Sequence, residues 1–296
     1  MNCDPITGYC EIPKDFEHNN IDRKEKPIKL LYFTDPICSS CWGIDPQLRK
    51  LKQEYGHYFD IEYRMGGLLK SWKEYGGSDV SGPSSVAQHW QEASHYYQMP
   101  IDGKVWLNDP LDSSYPPSIA FKAAQMQDKQ KAEQFLRRIK EMVFTEQKNI
   151  SKLEHLVQAA KDSGLDHIQF KYDFRNTAKI LFEDDLRMAK DWGVRGFPTI
   201  YFIDADDNRF KVYGSKPYEV YESALLRLIN QPLEKQASIS YIDIFKFYST
   251  VTLKEFEVFY NLNTQEAMAT LANLVENKKL IKIEIGNGFI WKEVNL

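Results

Sequence analysis

The sequence predicts an α/β protein in which a long helical insertion divides a small mixed sheet, with a small α+β unit at the C-terminus. Three observations lead there. Short apolar runs of β character stand at 28–34, 59–65, 199–203 and 209–213. The stretch 68–191 repeats its apolar residues at helical spacing, and 241–294 reads as helices followed by a hairpin.

Ile28–Thr34, closed by Asp35-Pro36, suits a buried strand. After Cys38-Ser39-Ser40-Cys41, the residues Ile44, Leu48, Leu51 and Tyr55 fall on one helical face, and Gly56 ends the helix. Phe59–Met65 is the next strand, so strand, helix and strand form a right-handed crossover unit. Helical periodicity then marks Pro117–Met126, Ala132–Phe144, Lys152–Asp162 and Tyr172–Asp191. Thr199–Ile203 and Arg209–Tyr213 flank the turn-forming Asp204-Ala205-Asp206-Asp207-Asn208, and a helix over Pro217–Ile229 follows. Beyond the polar Gln231–Ser238 come helices over Tyr241–Tyr248, Leu253–Tyr260 and Thr264–Asn277. Strands Leu280–Ile285 and Phe289–Val294 then meet around Gly286-Asn287-Gly288. Four regions result: a flexible Cys-pair tail and linker (1–28), a sheet domain (29–67 and 195–232), the helical insertion (68–194) and a winged-helix-like domain (238–296).

The 296 residues are 43% apolar and 27% charged, enough for a core without staples. A net charge of −4 sets up no broad positive field, so neither nucleic acid nor an anionic membrane is expected as a partner. Winged-helix folds often bind DNA, but this one carries six Lys, no Arg and seven acids from 240 onward. Phosphate neutralisation needs more positive charge, so a protein partner or a dimer contact is expected there. No apolar run reaches membrane-spanning length, and Met1 to Pro13 lacks the basic and apolar regions of a secretory signal. A cytoplasmic location is the expectation.

Four cysteines stand in two pairs, Cys3 with Cys10 and Cys38 with Cys41. In a reducing compartment such pairs serve redox chemistry or metal binding more often than stapling. Cys38 sits where a buried strand meets a helix, so the free N–H groups of the first turn favour its thiolate. Cys41 is spaced to attack a mixed disulfide formed at Cys38 and release the bound partner. Cys38 and Cys41 are therefore the candidate catalytic residues. A second Cys-x-x-Cys that would complete a zinc site is absent, so neither metal nor cofactor is expected. Cys3 and Cys10 bracket turn-forming residues and are a candidate accessory redox pair. The following linker, as a coil, would span roughly 25 Å and could deliver them to Cys38. Two ordinary thiols on a disordered tip is an equal reading, and metal binding with His18 lacks a fourth ligand.

Asp35-Pro36-Ile37-Cys38-Ser39-Ser40-Cys41-Trp42-Gly43, followed by Pro46 and Leu48, resembles the DsbA-like thioredoxin-fold group that includes FrnE-type dithiol–disulfide isomerases. Val194-Arg195-Gly196-Phe197-Pro198-Thr199 is similar to that family's Gly-x-Pro-Thr loop, and the resemblance spans about Lys29 to Leu228. It implies a thioredoxin fold and thiol–disulfide oxidoreductase or isomerase activity on protein or peptide disulfides, with a cellular thiol reductant. It also implies a cis Pro198 against the cysteines, with Phe197, Pro198 and Trp42 contacting substrate. The insertion would cover the redox face, where the stretch His89, Trp90, His95, Tyr96, Tyr97, Met99 and Trp106 forms either a groove or, more simply, helix core.

Two positions depart from the family's pattern. Tyr32 stands where an acid commonly lies, six residues before the first cysteine, and Ser39-Ser40 replaces the Pro-His of strongly oxidising relatives. The same Asp-Pro-x-Cys-x-x-Cys-Trp stretch is also similar to thioredoxin-fold adaptors that deliver a transcription regulator to the Clp protease. That resemblance implies a binding protein without turnover. A glutathione-using isomerase on this scaffold usually has serine at the attacking position, which Cys38 argues against.

Overall fold

A computed structural model of the chain describes residues 2–3, 9–11, 26–75, 81–229 and 233–294. Most of the linker expected after the N-terminal cysteines, residues 12–25, lies outside the described residues. The first elements are β1 (Asn2–Cys3), β2 (Tyr9–Glu11), β3 (Ile28–Thr34), α1 (Ser39–Gly43), α2 (Asp45–Tyr55) and β4 (Phe59–Met65). The insertion holds α3 (Pro83–Tyr97), α4 (Val105–Asn108), α5 (Tyr115–Gln127), α6 (Lys129–Thr145), α7 (Leu153–Asp162), α8 (His167–Arg175) and α9 (Thr177–Asp191). The sheet resumes with β5 (Thr199–Ile203), β6 (Arg209–Tyr213) and α10 (Tyr218–Leu226). The chain closes with α11 (Ile244–Phe247), β7 (Val251–Thr252), α12 (Leu253–Tyr260), α13 (Thr264–Glu276), β8 (Leu280–Ile285) and β9 (Gly288–Glu293).

The larger sheet runs β1-β2-β6-β5-β3-β4. β3 pairs parallel with β4 from Ile28 opposite Phe59 to Thr34 opposite Met65, as a crossover through a helix requires. β3 and β5 are antiparallel neighbours, with Phe33 opposite Thr199. Their unbroken apolar runs follow from burial on both faces. Leu30, Tyr32, Ile200 and Phe202 pack with Leu48, Leu51, Tyr221 and Leu225 of α2 and α10. Leu31, Phe33, Tyr201 and Ile203 face Met188, Ala189 and Trp192. The end of β3 that leads into Cys38 is thereby held at the centre of the molecule.

The N-terminal tail, expected as a flexible segment, places residues 2–3 and 9–11 in two strands that extend the sheet beyond β6. Cys3 lies opposite Cys10, and Cys10 lies opposite Lys211 of β6. The outer edge of β6 would otherwise offer a row of open N–H and C=O groups, and pairing satisfies them. The helix expected over Tyr172–Asp191 is two helices. Asn176 leaves helical geometry at φ −123° and ψ −95° and donates its side-chain amide to the Tyr172 carbonyl at 2.7 Å. α3 and the four-residue α4 are not marked off by the sequence periodicity; Trp90 of α3 and Trp106 of α4 are both buried in the insertion's core with Phe121, Phe135 and Phe144.

In the C-terminal unit, reciprocal capping boxes start α12 (Thr252 with Glu255) and α13 (Asn263 with Glu266). The helix expected over Tyr241–Tyr248 shortens to α11, and β7, too short to show in the sequence, pairs with β9. The unit docks on both other parts of the molecule. Glu255 of α12 pairs with Arg49 of α2 (3.2 Å) and Arg137 of α6 (2.8 Å), and the Asn287 side chain accepts from the Ile101 amide at 3.1 Å. No helix among the described residues is long and apolar enough to cross a membrane.

Candidate functional site

Cys38 is the N-cap of α1, with φ −76° and ψ 109°, and its Sγ accepts the Cys41 amide at 3.2 Å. The first turn of α1 is short and holds no acid, so its N–H groups turn their partial positive charge on the sulfur. Both cysteines are free thiols, Cys38 6% exposed and Cys41 fully buried. Only Cys38 is open to an incoming sulfur, as attacker and resolver require.

The peptide bond Phe197–Pro198 is cis. It brings the Phe197 carbonyl to 3.7 Å from Cys38 Sγ, in position to accept its thiol proton. Pro198 is anchored by its own carbonyl, which accepts the Gly214 amide at 2.9 Å. The Phe197 ring lies over Gly66, where any Cβ would meet it at 1.9 Å, so glycine is what lets the ring close on the site.

The two thiols are shifted in opposite directions, and it is Cys41 that is lowered, against the expectation that the first turn of the helix favours a thiolate at Cys38. Burial, then the hydrogen bond shared with Cys41, pushes the Cys38 thiol well up. Burial also opposes ionisation of Cys41, but the Cys38 hydrogen bond, then Lys140 and the Thr34 hydroxyl, bring it below the ordinary thiol range. The first negative charge formed at the pair is thus stabilised by the remaining S–H, and the second is disfavoured. Lys140, buried on α6, donates to the Cys41 carbonyl at 3.3 Å and to Asp45 at 3.1 Å.

Asp35 fixes the approach to Cys38. Its carboxylate accepts from the Ile37 amide (3.0 Å), the Leu68 amide (2.7 Å) and the Ser114 hydroxyl (2.9 Å), tying β3, the insertion's entry and α5 together. Burial nevertheless pushes Asp35 up to about 6. Tyr32 is buried beneath the pair, where burial raises its hydroxyl well above the usual range, so it stays protonated.

Of the residues expected at the site, Cys38, Cys41, Phe197 and Pro198 come together. Trp42 does not reach a substrate surface. It is fully buried, donates its indole N–H to the Pro100 carbonyl at 3.1 Å, stacks on Phe144 and lies under the Arg137 guanidinium. An aromatic residue one position after the resolving cysteine falls on the inner face of a short buried helix, which makes it core. Cys3 and Cys10 stand opposite each other on β1 and β2 at the far edge of the sheet. His89 borders a cavity beside Cys38, while Tyr97 sends its hydroxyl to Ser40 at 2.9 Å and packs its ring on Gly43. Lys140 and Ser114 were not anticipated, because nothing in their sequence surroundings marks residues so distant in the chain. Among the described residues no group of three His, Cys, Asp or Glu side chains gathers as metal ligands.

The family model described as Thioredoxin matches residues 31–223. The ClpXP adapter protein SpxH of Halalkalibacterium halodurans is 34% identical over 98% of this chain and 96% of its own length. That of Bacillus subtilis is 30% identical over 92% and 91%. Among solved structures, the cytosolic disulfide reductase DsbM from Pseudomonas aeruginosa superposes with a TM-score of 0.55 at 23% identity, covering 68% of this chain and 100% of that one. A 2-hydroxychromene-2-carboxylate isomerase does so with 0.51 at 19%, covering 68% and 95%. These structures share the fold, with different chemistry. The chain belongs to the thioredoxin family, among relatives that carry the name ClpXP adapter protein SpxH.

Proposed function

We propose that this chain is an adapter that brings a protein cargo, a transcription regulator, to the ClpXP protease. The observation that carries this reading is the match to the adapter of H. halodurans at 34% identity over 98% of the chain, which takes in the C-terminal unit. The DsbM structure is used up on 68% of the chain. An adapter needs two faces held in fixed relation, and the buried Glu255–Arg49–Arg137 contact supplies a rigid joint between the C-terminal unit and the rest. On this reading the chain works in the cytoplasm and its C-terminal unit meets protein. The test is degradation of the regulator by ClpX and ClpP with and without the chain. Faster degradation, retained when Cys38 and Cys41 are both replaced by Ser, supports the adapter; an unchanged rate sinks it.

A second reading is favoured by the geometry at Cys38: a thiol–disulfide oxidoreductase or isomerase on protein disulfides. Cys38 attacks a substrate sulfur, the electron pair of the broken S–S bond leaves on the released thiolate, and Cys41 resolves the mixed disulfide. A cellular thiol then reduces the Cys38–Cys41 disulfide. Insulin reduction and reactivation of scrambled ribonuclease test it; activity must vanish in Cys38→Ser.

A further inference from the structure

The family pattern commonly places an acid six residues before the first cysteine, and this chain has Tyr32 there. Tyr32 is no substitute as a base. Burial raises its hydroxyl well above the usual range, and the oxygen has no hydrogen-bond partner among the described residues. The buried Cys41 thiol must therefore be prepared for attack by other groups.

Lys140 of α6 comes to Cys41 from the insertion. It is 2% exposed, and its ammonium donates to the Cys41 carbonyl at 3.3 Å and to the two Asp45 oxygens at 3.1 and 3.4 Å. An ammonium this buried needs an anion against it, and Asp45 on α2 is that anion. The pair also lines a cavity of about 400 Å³ that reaches from α2 and α6 to the C-terminal unit, so solvent approaches it from a side that Cys38 does not line. The other charged groups around the pair are matched or neutral. Arg137 and Arg49 meet Glu255 at 2.8 and 3.2 Å, Arg137 also meets Glu141 at 2.6 Å, and Lys52 meets Glu133 at 2.6 Å. Burial raises Tyr63 of β4 well above the usual range and Tyr248 of the C-terminal unit to about 12, so both phenols stay neutral. The Asp35 carboxylate bears on Cys38.

Burial works against a charge on Cys41; of the groups that favour it, the Cys38 S–H comes first and Lys140 second. The first of these is lost once Cys38 is bonded to a partner's sulfur, because a disulfide sulfur has no proton to give. We propose that Lys140, clamped by Asp45, is the positioning residue of the resolving step and holds the Cys41 thiolate while Cys38 is occupied. The inference rests on the thiol-exchange reading. In that step Cys41 Sγ loses its proton to solvent and bonds to Cys38 Sγ. The bond between Cys38 and the partner breaks, and its electron pair leaves on the partner's sulfur.

The experiment mixes the full chain, carrying Cys3→Ser and Cys10→Ser so that only Cys38 and Cys41 report, with 5,5′-dithiobis(2-nitrobenzoate) in a stopped-flow instrument. Attack by Cys38 releases one coloured thiolate, and resolution by Cys41 releases the second. Lys140→Met is expected to slow the second release about tenfold at pH 7, as a tenfold smaller thiolate fraction gives, and by progressively less toward pH 9, where the thiolate forms unaided. The first release is expected to stay within about twofold of the Lys140 protein. Lys140→Gln, which keeps a donor for the Cys41 carbonyl without the charge, carries the same expectation should Lys140→Met not fold. A deficit equal at pH 7 and pH 9, both releases slowed alike, or no deficit in a folded variant overturns the role of Lys140 while thiol exchange stands. Absence of a second release when Lys140 is intact overturns thiol exchange through Cys41, and this inference with it.

Discussion

Cys38 Sγ lies 3.7 Å from the carbonyl oxygen of Phe197, a residue 159 positions further along the chain. The contact closes the two halves of the interrupted sheet on one another through β3 and β5, and it leaves one sulfur open and one sealed. Limited alkylation of the native reduced chain is therefore expected to modify Cys38 ahead of Cys41 in peptide mass maps, with both reacting after denaturation. Cys41 labelled first in the native chain would contradict the assignment of attacker and resolver.

Gly66 sets the position of the Phe197 ring, because a Cβ there would meet ring atoms at 1.9 and 2.0 Å. Gly66→Ala is expected to displace the ring and cost about 1–3 kcal/mol of stability, the range for overpacking a filled site. Denaturant melts measure the cost. A neutral Gly66→Ala would mean that the ring moves aside freely and does not hold the loop.

Ile28–Thr34, Phe59–Met65, Thr199–Ile203 and Arg209–Tyr213 are each strands with those bounds; the first and third were legible because burial on both faces leaves apolar runs, the other two, only half-buried, because β-prone residues alternate with charged ones. The dithiol was legible from its spacing at the end of β3, whereas the proline loop came only from the resemblance of Gly196-Phe197-Pro198-Thr199 to the loop of the DsbA-like group. Trp42 was misread because a residue next to a reactive centre in sequence can still point inward on a helix. Lys140 and Ser114 were invisible because their roles depend on how α5 and α6 pack against β3, and no local pattern encodes that. The edge pairing of residues 2–3 and 9–11 was missed because segments so short carry no period, only an available sheet edge.

Asp35 is held near 6 against an ordinary 3.8, with burial as the leading cause. A raised carboxyl means that the folded chain binds more protons than the unfolded chain between those values. Its stabilising contribution is complete below about pH 4 and is lost as pH rises through 6. The wild type is therefore expected to lose roughly 2.5 kcal/mol relative to Asp35→Asn between pH 4 and pH 7. Urea melts of both proteins across that range provide the difference. Parallel curves would show that Asp35 titrates normally and that its three hydrogen bonds fully offset its burial.

Glu255 carries the opposite sign. Its side chain is fully buried, and although burial works to raise it, Arg137 and then Arg49 hold its carboxyl below the usual range. Its stabilisation is present above the unfolded value of 4.5 and disappears as pH falls through the lower folded value. At neutral pH, Glu255→Ala leaves two buried guanidinium groups facing each other and removes the reciprocal cap on Thr252, so a loss of about 3–5 kcal/mol is expected. Arg49→Met is expected to cost less, because Arg137 still neutralises Glu255 and keeps its own contacts with Glu141 (2.6 Å) and Asp45 (3.6 Å). Limited proteolysis of the exposed stretch 234–238 reads the same joint directly. Glu255→Ala should be cut there faster than wild type, and Arg49→Met to an intermediate extent. Equal cutting of all three would mean that the apolar contacts of α12 on α2 hold the C-terminal unit without the ion pairs, and the rigid two-faced arrangement would rest on packing alone.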